Sequence, residues 1–169
     1  MDATIRMPFM ERRKDNLHIQ KPVQSNAANV FPARSFVKLS AGAIAACVTA
    51  DVVCYGQVPD PSHLSTDQPP VTLYGTNHWV FDPRDAQFVV NITDAAGHVG
   101  QAAGAPQLSA VAVGTKYGLY RDATTLMQML NSADTTNLFF TVIALYPNQA
   151  LTDYNGRVIV ELVPAIIQA

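Results

Sequence analysis

Charge is what this chain has least of. Asp, Glu, Lys and Arg make up 14% of its 169 residues, against about 25% in an ordinary soluble domain. A surface so poor in solvated side chains fits either a compact β-protein rich in Ala, Val and Thr or a subunit that gives much of its surface to neighbours. A basic excess is missing as well. The formal net charge is −2, which argues against a general nucleic-acid binder, whose footprint is a basic patch or stripe. Cysteine is limited to Cys47 and Cys54, too few for a disulfide framework in a chain of this length. Their spacing matches no zinc pattern. Both lie among apolar neighbours and read as small buried hydrophobes, able to pair only in an oxidising setting. No apolar run approaches the ~20 residues that span a bilayer. The N-terminus has no apolar h-region of a secretory signal, so a soluble protein made in a cytoplasm, without a membrane partner, is expected. Without such a signal, the glycosylation pattern at Asn91-Ile92-Thr93 carries no weight.

Catalytic signatures are missing too. The chain has no Walker loop, no G-x-G-x-x-G and no G-x-S-x-G elbow. Its four histidines, His18, His63, His78 and His98, are scattered rather than closely spaced on adjoining strands as a metal barrel requires. Asp82 and Asp85 flank Pro83, where turn formation explains them without acid–base chemistry. Trp79 reads as core in an alternating strand, although aromatic faces also suit sugar stacking. No enzyme, cofactor or metal is expected.

What is present divides into two textures. Residues 1–33 intersperse charges, amides and prolines with lone apolar residues and sustain neither helical nor strand periodicity. Residues 1–30 hold five bases against three acids, while the remainder holds six against ten. This stretch reads as an extended arm whose apolar anchors and basic residues, Met7, Phe9, Arg12, Arg13, Leu17, Ile19 and Phe31, are candidate partner contacts. Fully extended, it would reach ~100 Å.

Residues 34–169 read as one β-sandwich domain. Phe36–Leu39 and Ala43–Cys47 flank a turn at Gly42 and predict a hairpin. Val52–Tyr55, closed by Gly56, predicts a strand, and Pro59 to Pro70 a proline-rich loop. Val71–Tyr74 and His78–Phe81 predict two further strands. Over Gln87–Ile92, Phe88, Val90 and Ile92 share one face, a half-buried pattern. A Gly/Ala loop at 94–106 precedes Leu108–Val113. Residues 123–131 suit a short helix capped by Asp122 or, preferably, a strand. Leu138–Leu145 is apolar on both faces and predicts a buried central strand. Asp153–Gly156 is a strong turn ahead of Val158, Val160 and Leu162. Eight to ten short strands with almost no helix predict an all-β, jelly-roll-like sandwich or barrel.

Ser35-Phe36-Val37-Lys38-Leu39-Ser40-Ala41-Gly42-Ala43-Ile44 followed by Asp51-Val52-Val53-Cys54-Tyr55-Gly56 resembles the opening of the head-decoration, or cement, proteins of tailed bacteriophages. Asn137-Leu138-Phe139-Phe140-Thr141-Val142, Asp153-Tyr154-Asn155-Gly156-Arg157-Val158 and the terminal Ile166-Ile167-Gln168 are similar to the end of the same proteins. The resemblance spans most of residues 35–169 as a texture of strands and turns. It implies a jelly-roll body, a homo-oligomer (trimer or dimer), the major capsid protein as partner, the outer capsid surface of a virion as location, and no catalysis. Two other classes compete: a carbohydrate- or receptor-binding β-module of a virion fibre or surface, and an oligomeric β-enzyme with a site shared between subunits.

Overall fold

The structure is a computed structural model and describes residues 9–11, 19–24, 31–59, 77–100 and 103–168; for 9–11, 19–24 and 77–79 it describes the backbone. The candidate residues Met7, Arg12, Arg13 and Leu17, most of the proline-rich loop, Val71–Tyr74, His18 and His63 lie outside these ranges.

The described chain is all-β. Its strands in chain order are β1 (Phe9–Glu11), β2 (Ile19–Gln24), β3 (Phe36–Ser40), β4 (Ala43–Ala46), β5 (Gly56–Gln57), β6 (Asn77–Phe81), β7 (Gln87–Thr93), β8 (Lys116–Arg121), β9 (Gln128–Asn131), β10 (Phe140–Leu145) and β11 (Arg157–Leu162). Two short 3-10 turns, Leu108–Ala110 and Pro164–Ile166, interrupt the pattern.

Strands β7–β11–β10–β8–β9 follow one another by hydrogen bonding, and β9 returns to β7, so five strands close into a barrel. The closing contact is the parallel pair Ile92↔Leu130 and Thr93↔Asn131. A register shift in β10 between Val142 and Ala144, opposite β11, bends that strand as a bulge does. Phe88, Val90, Ile92, Leu119, Leu130, Phe140, Val142, Val158 and Val160 are buried in one cluster, the interior set that alternation along each strand provides.

Beside the barrel lies a separate sheet of order β2–β6–β5–β3–β4. The β3/β4 hairpin forms as the sequence predicts, Ser40 opposite Ala43. Ala41 (φ 51°) and Gly42 (φ 80°) make its two-residue turn, the left-handed pair that matches strand twist. Side chains of β3 alternate between two clusters. Phe36 points into the barrel's cluster, while Val37 joins Phe31, Ile44, Ala46, Val58 and Val80 in a second, smaller one. Phe36 makes edge-on ring contacts with Phe88 at 4.9 Å, Phe140 at 5.5 Å and Phe139 at 5.8 Å, a favoured aromatic geometry.

Gln128, projecting from β9, completes the junction. Its Nε2 donates to Phe36 O (2.9 Å) and Cys47 O (2.8 Å), and its Oε1 accepts from Phe36 N (2.6 Å). A polar side chain buried with three such bonds is satisfied rather than costly. From the C-terminus, Gln168 Oε1 accepts from Leu39 N (2.7 Å) and Gln168 N donates to Cys54 O (2.7 Å).

Several segments depart from the sequence reading. Val52–Tyr55 is no strand: Cys54 makes a single bridge with Ile167, because the loop before it turns towards the barrel. β7 is buried on both faces, including Val89 and Asn91; the turn at Asn155 covers Asn91, whose Nδ2 donates to Asn155 O (2.9 Å). The glycosylation pattern is therefore folded inwards. β10 is central, between β11 and β8, yet its outer face at Thr141 and Ile143 stays half-exposed. Residues 123–127 form a turn rather than helix, with strand only over Gln128–Asn131. Asp122 does cap it, accepting at Oδ1 from Thr124 N (3.0 Å) and Thr125 N (2.6 Å).

Candidate interaction surface

Strand β7 has part of one edge to spare, and there β1 attaches. β11 occupies one edge along Phe88–Asn91. On the other edge β9 takes only Ile92 and Thr93, and β1 takes the vacant half, with Phe9 opposite Val89, Met10 opposite Phe88 and Glu11 opposite Gln87. The separate sheet is extended the same way. β2 pairs antiparallel with β6, Ile19 opposite Phe81 and Gln24 opposite Asn77, with a register shift between Gln20 and Val23. Pro22 falls within that irregularity, where its missing N–H costs no ladder bond.

The predicted contact residues thus separate. Phe9 and Ile19 lie on strands added to two different sheet edges. Phe31 is 1% exposed inside the smaller cluster, so its anchor site is in the chain's own sheet.

The sequence reading missed the exposed apolar residues. Val113 (59% exposed), Leu151 (56%) and Val52 (47%) stand out, followed by Val48, Val99 and Tyr154. Each sits in or beside a turn whose polar neighbours make the bend. Asp51 Oδ2 accepts from Val48 N (2.6 Å), Asp153 Oδ2 accepts from Ala150 N (2.9 Å), and Gly114 takes φ 84° after Val113. The available signal was a hydrophobe next to strong turn chemistry, which forces the side chain outwards.

Several charged groups on the described surface are engaged in local structure. Asp94 Oδ2 meets His98 Nδ1 at 2.6 Å and its Oδ1 accepts from His98 N (2.9 Å) and Ala96 N (3.1 Å). Burial pushes the Asp94 carboxyl up, but these bonds and the His98 charge outweigh it and hold the group below its ordinary value. Asp134 behaves alike: burial raises it, and the N–H groups of Asn137 and Thr136 bring it below. Asp122 is lowered chiefly by Thr125, through backbone and hydroxyl. Asp82 binds the Arg84 guanidinium (2.5 Å) and accepts from Arg84 N (2.9 Å), the turn role expected of it. The Asp94–His98 pair locks the start of the 94–106 loop. Among the described residues, no group of three or more His, Cys, Asp or Glu side chains converges as a metal site, and no helix is long and apolar enough to cross a membrane.

Comparison of the chain with protein-family models, with curated proteins and with solved structures finds no match.

Proposed function

We propose that the chain is a capsid decoration protein, binding the outer surface of a shell of major capsid protein and stabilising the head. The observation that carries the reading is the mode of N-terminal attachment: β1 and β2 join their sheets as added edge strands, the same backbone chemistry by which a segment joins a neighbouring protein's sheet. In this reading residues 1–33 act as an arm on a jelly-roll-like body, and Phe9, Arg12, Arg13, Leu17 and Ile19 contact the shell. A homo-oligomer, trimer or dimer, multiplies weak contacts through effective concentration on a surface that repeats its sites by symmetry. Low charge and apolar turn residues such as Val113 and Leu151 suit a body that rests on protein.

The test is co-sedimentation of the full chain, and of a chain lacking residues 1–30, with shells assembled from the major capsid protein of the same genome. The full chain should pellet with shells. The truncated chain should bind roughly tenfold more weakly or worse while keeping its β circular-dichroism spectrum. Failure of the full chain to bind any shell would overturn the function. Undiminished binding by the truncated, folded chain would overturn the arm's part in it.

A further inference from the structure

The outer face of the β10–β11 hairpin is settled by what its strands send inwards. Phe140, Val142, Val158, Val160 and Leu162 lie in the barrel's cluster, and Leu145 packs against it. Alternation then puts Arg157, Ile159 and Glu161 of β11 on the outside, with Thr141, Ala144 and Tyr146 beside them. Thr141 stands opposite Glu161 and Ala144 opposite Ile159, while Tyr146 N donates to Arg157 O (3.0 Å). Ile143, the extra residue at the register shift, has no partner on β11 and stays half-exposed with Thr141 and Ala144. The face therefore carries a cation at one end, a carboxylate at the other and a neutral, partly apolar centre.

Both charges are held in place by neutral neighbours. The Arg157 guanidinium carbon sits 4.2 Å from the centre of the Tyr146 ring, a stack that keeps its charge and leaves its fork of donors outward. Gln149 fixes the hairpin there. Its Nε2 donates to Tyr146 O (3.0 Å) and Arg157 O (2.9 Å), and its Oε1 accepts from Arg157 N (2.7 Å). At the far end Gln87 Nε2 donates to Glu161 Oε1 (2.8 Å). Among the described residues, no acid pairs with Arg157 and no base with Glu161. Four residues apart on one strand, with backbones about 13 Å apart, the two do not meet each other. Lys116 also lies on this face, opposite Thr141 on the β8 side and two strands from Glu161.

We infer that this face is the contact between two copies of the chain, packed antiparallel about a twofold axis, with Arg157 of each copy on Glu161 of the other. A surface that meets its own copy in this way must be self-complementary. Rotation about an axis across the strands, at the level of Ala144 and Ile159, exchanges the two ends of the face. It brings cation to carboxylate twice and lays Ile143 and Ala144 on their equivalents. Parallel packing would instead set Arg157 on Arg157, which like charge disfavours. Val113, 59% exposed, borders the centre, because Gly114 N donates to Val142 O (2.8 Å). The contact gives a surface to the homo-oligomer of the proposed function, a part of that reading which it refines, and it requires a dimer. A patch this small suits a dissociation constant on the order of micromolar.

Sedimentation equilibrium of the full chain from about 1 to 100 μM should show reversible association ending at twice the 18.3 kDa of one chain. Arg157→Glu and Glu161→Arg should each weaken the dimer by at least about tenfold. The two together should restore it, because the pairs are then reversed rather than broken. A chain that stays monomeric throughout, a trimer, an undiminished dimer in either single variant, or a double variant no tighter than the single ones would each overturn the contact. Should a reversed charge prevent folding, Arg157→Gln and Glu161→Gln repeat the cycle. Each should weaken the dimer about tenfold, and both together no more than either alone, since one substitution already removes both pairs. Additive losses would overturn the pairing. Shell binding is measured separately, so failure of this contact and failure of the proposed function are told apart.

Discussion

In the barrel, strands β7 to β11 pair into a ring around one large buried cluster. In the sheet beside it, strands β2 to β6 stay open and cover a second cluster, the smaller of the two among the described residues. The two regions draw on the same kinds of residue, so composition does not separate them. Closure does. A ring leaves few unpaired backbone groups, whereas the open sheet relies on contacts to the barrel through Phe36 and Gln128 and to the C-terminal segment through Gln168. The barrel should therefore be the stable unit and the sheet its dependent. Amide exchange should reflect this, with barrel strands protected up to the global free energy and β3–β6 opening at lower cost.

Phe36→Ala gives the largest expected effect and tests whether the regions can be told apart at all. It removes three ring contacts and should cost about 3–5 kcal/mol in urea unfolding. If barrel and sheet melt together in this variant, the contrast is one of degree; if the sheet is lost first, it is one of kind.

Gln128→Ala cuts the same junction from the barrel side. It leaves the Phe36 N–H and carbonyl and the Cys47 carbonyl without the Gln128 amide, and should cost about 2–4 kcal/mol. A loss below about 1 kcal/mol would mean that the sheet is held by packing alone.

Gly56→Ala acts within the sheet. A Cβ at this position would overlap Phe81 O and come within 2.5 Å of Val80 Cγ1, forcing β5 from β6 at a cost of about 1–3 kcal/mol. Exchange should accelerate in β3–β6 and stay unchanged in β10 and β11.

Acid titration should show the smallest effect, and it belongs to the barrel. Asp94, Asp122 and Asp134, in turns that follow β7, β8 and β9, all titrate below their ordinary value. A carboxyl whose folded value is depressed binds its proton less readily in the folded chain. Its contribution is thus complete above the unfolded range near pH 4 and is lost as pH falls through the folded value. Urea midpoints measured from pH 6 to pH 2.5 should decline on the acid side, and Asp94→Asn should make that decline shallower.

Local chemistry made much of the body legible in the sequence. Gly42 marked the β3/β4 turn, alternation marked β7 and β11, and Asp153–Gly156 marked the bend that covers Asn91. Val52–Tyr55 misled because β-branched residues favour strands wherever a partner exists, and here the partner edge is replaced by a loop passing over β8. Gln128 gave no sign of its role, since a glutamine in a short apolar run reads as a solvent-facing position. The exposed apolar residues were the least legible: Val113 and Leu151 look like core until the turns beside them turn their side chains outwards.

Period, turn residues and composition determined by themselves that this chain folds as short β-strands, with a thinly charged body behind an N-terminal region of different texture. Those properties are set by neighbours a few residues away, through side-chain alternation and backbone angle. Tertiary structure alone decided that β9 returns to β7 in parallel and closes the ring, that Phe36 serves the barrel while Val37 serves the sheet, and that Gln128 reaches the backbone of Phe36 and Cys47. Each of these joins residues distant in sequence or on opposite edges of one strand, and depends on how burial and backbone hydrogen bonds are satisfied for the whole chain at once.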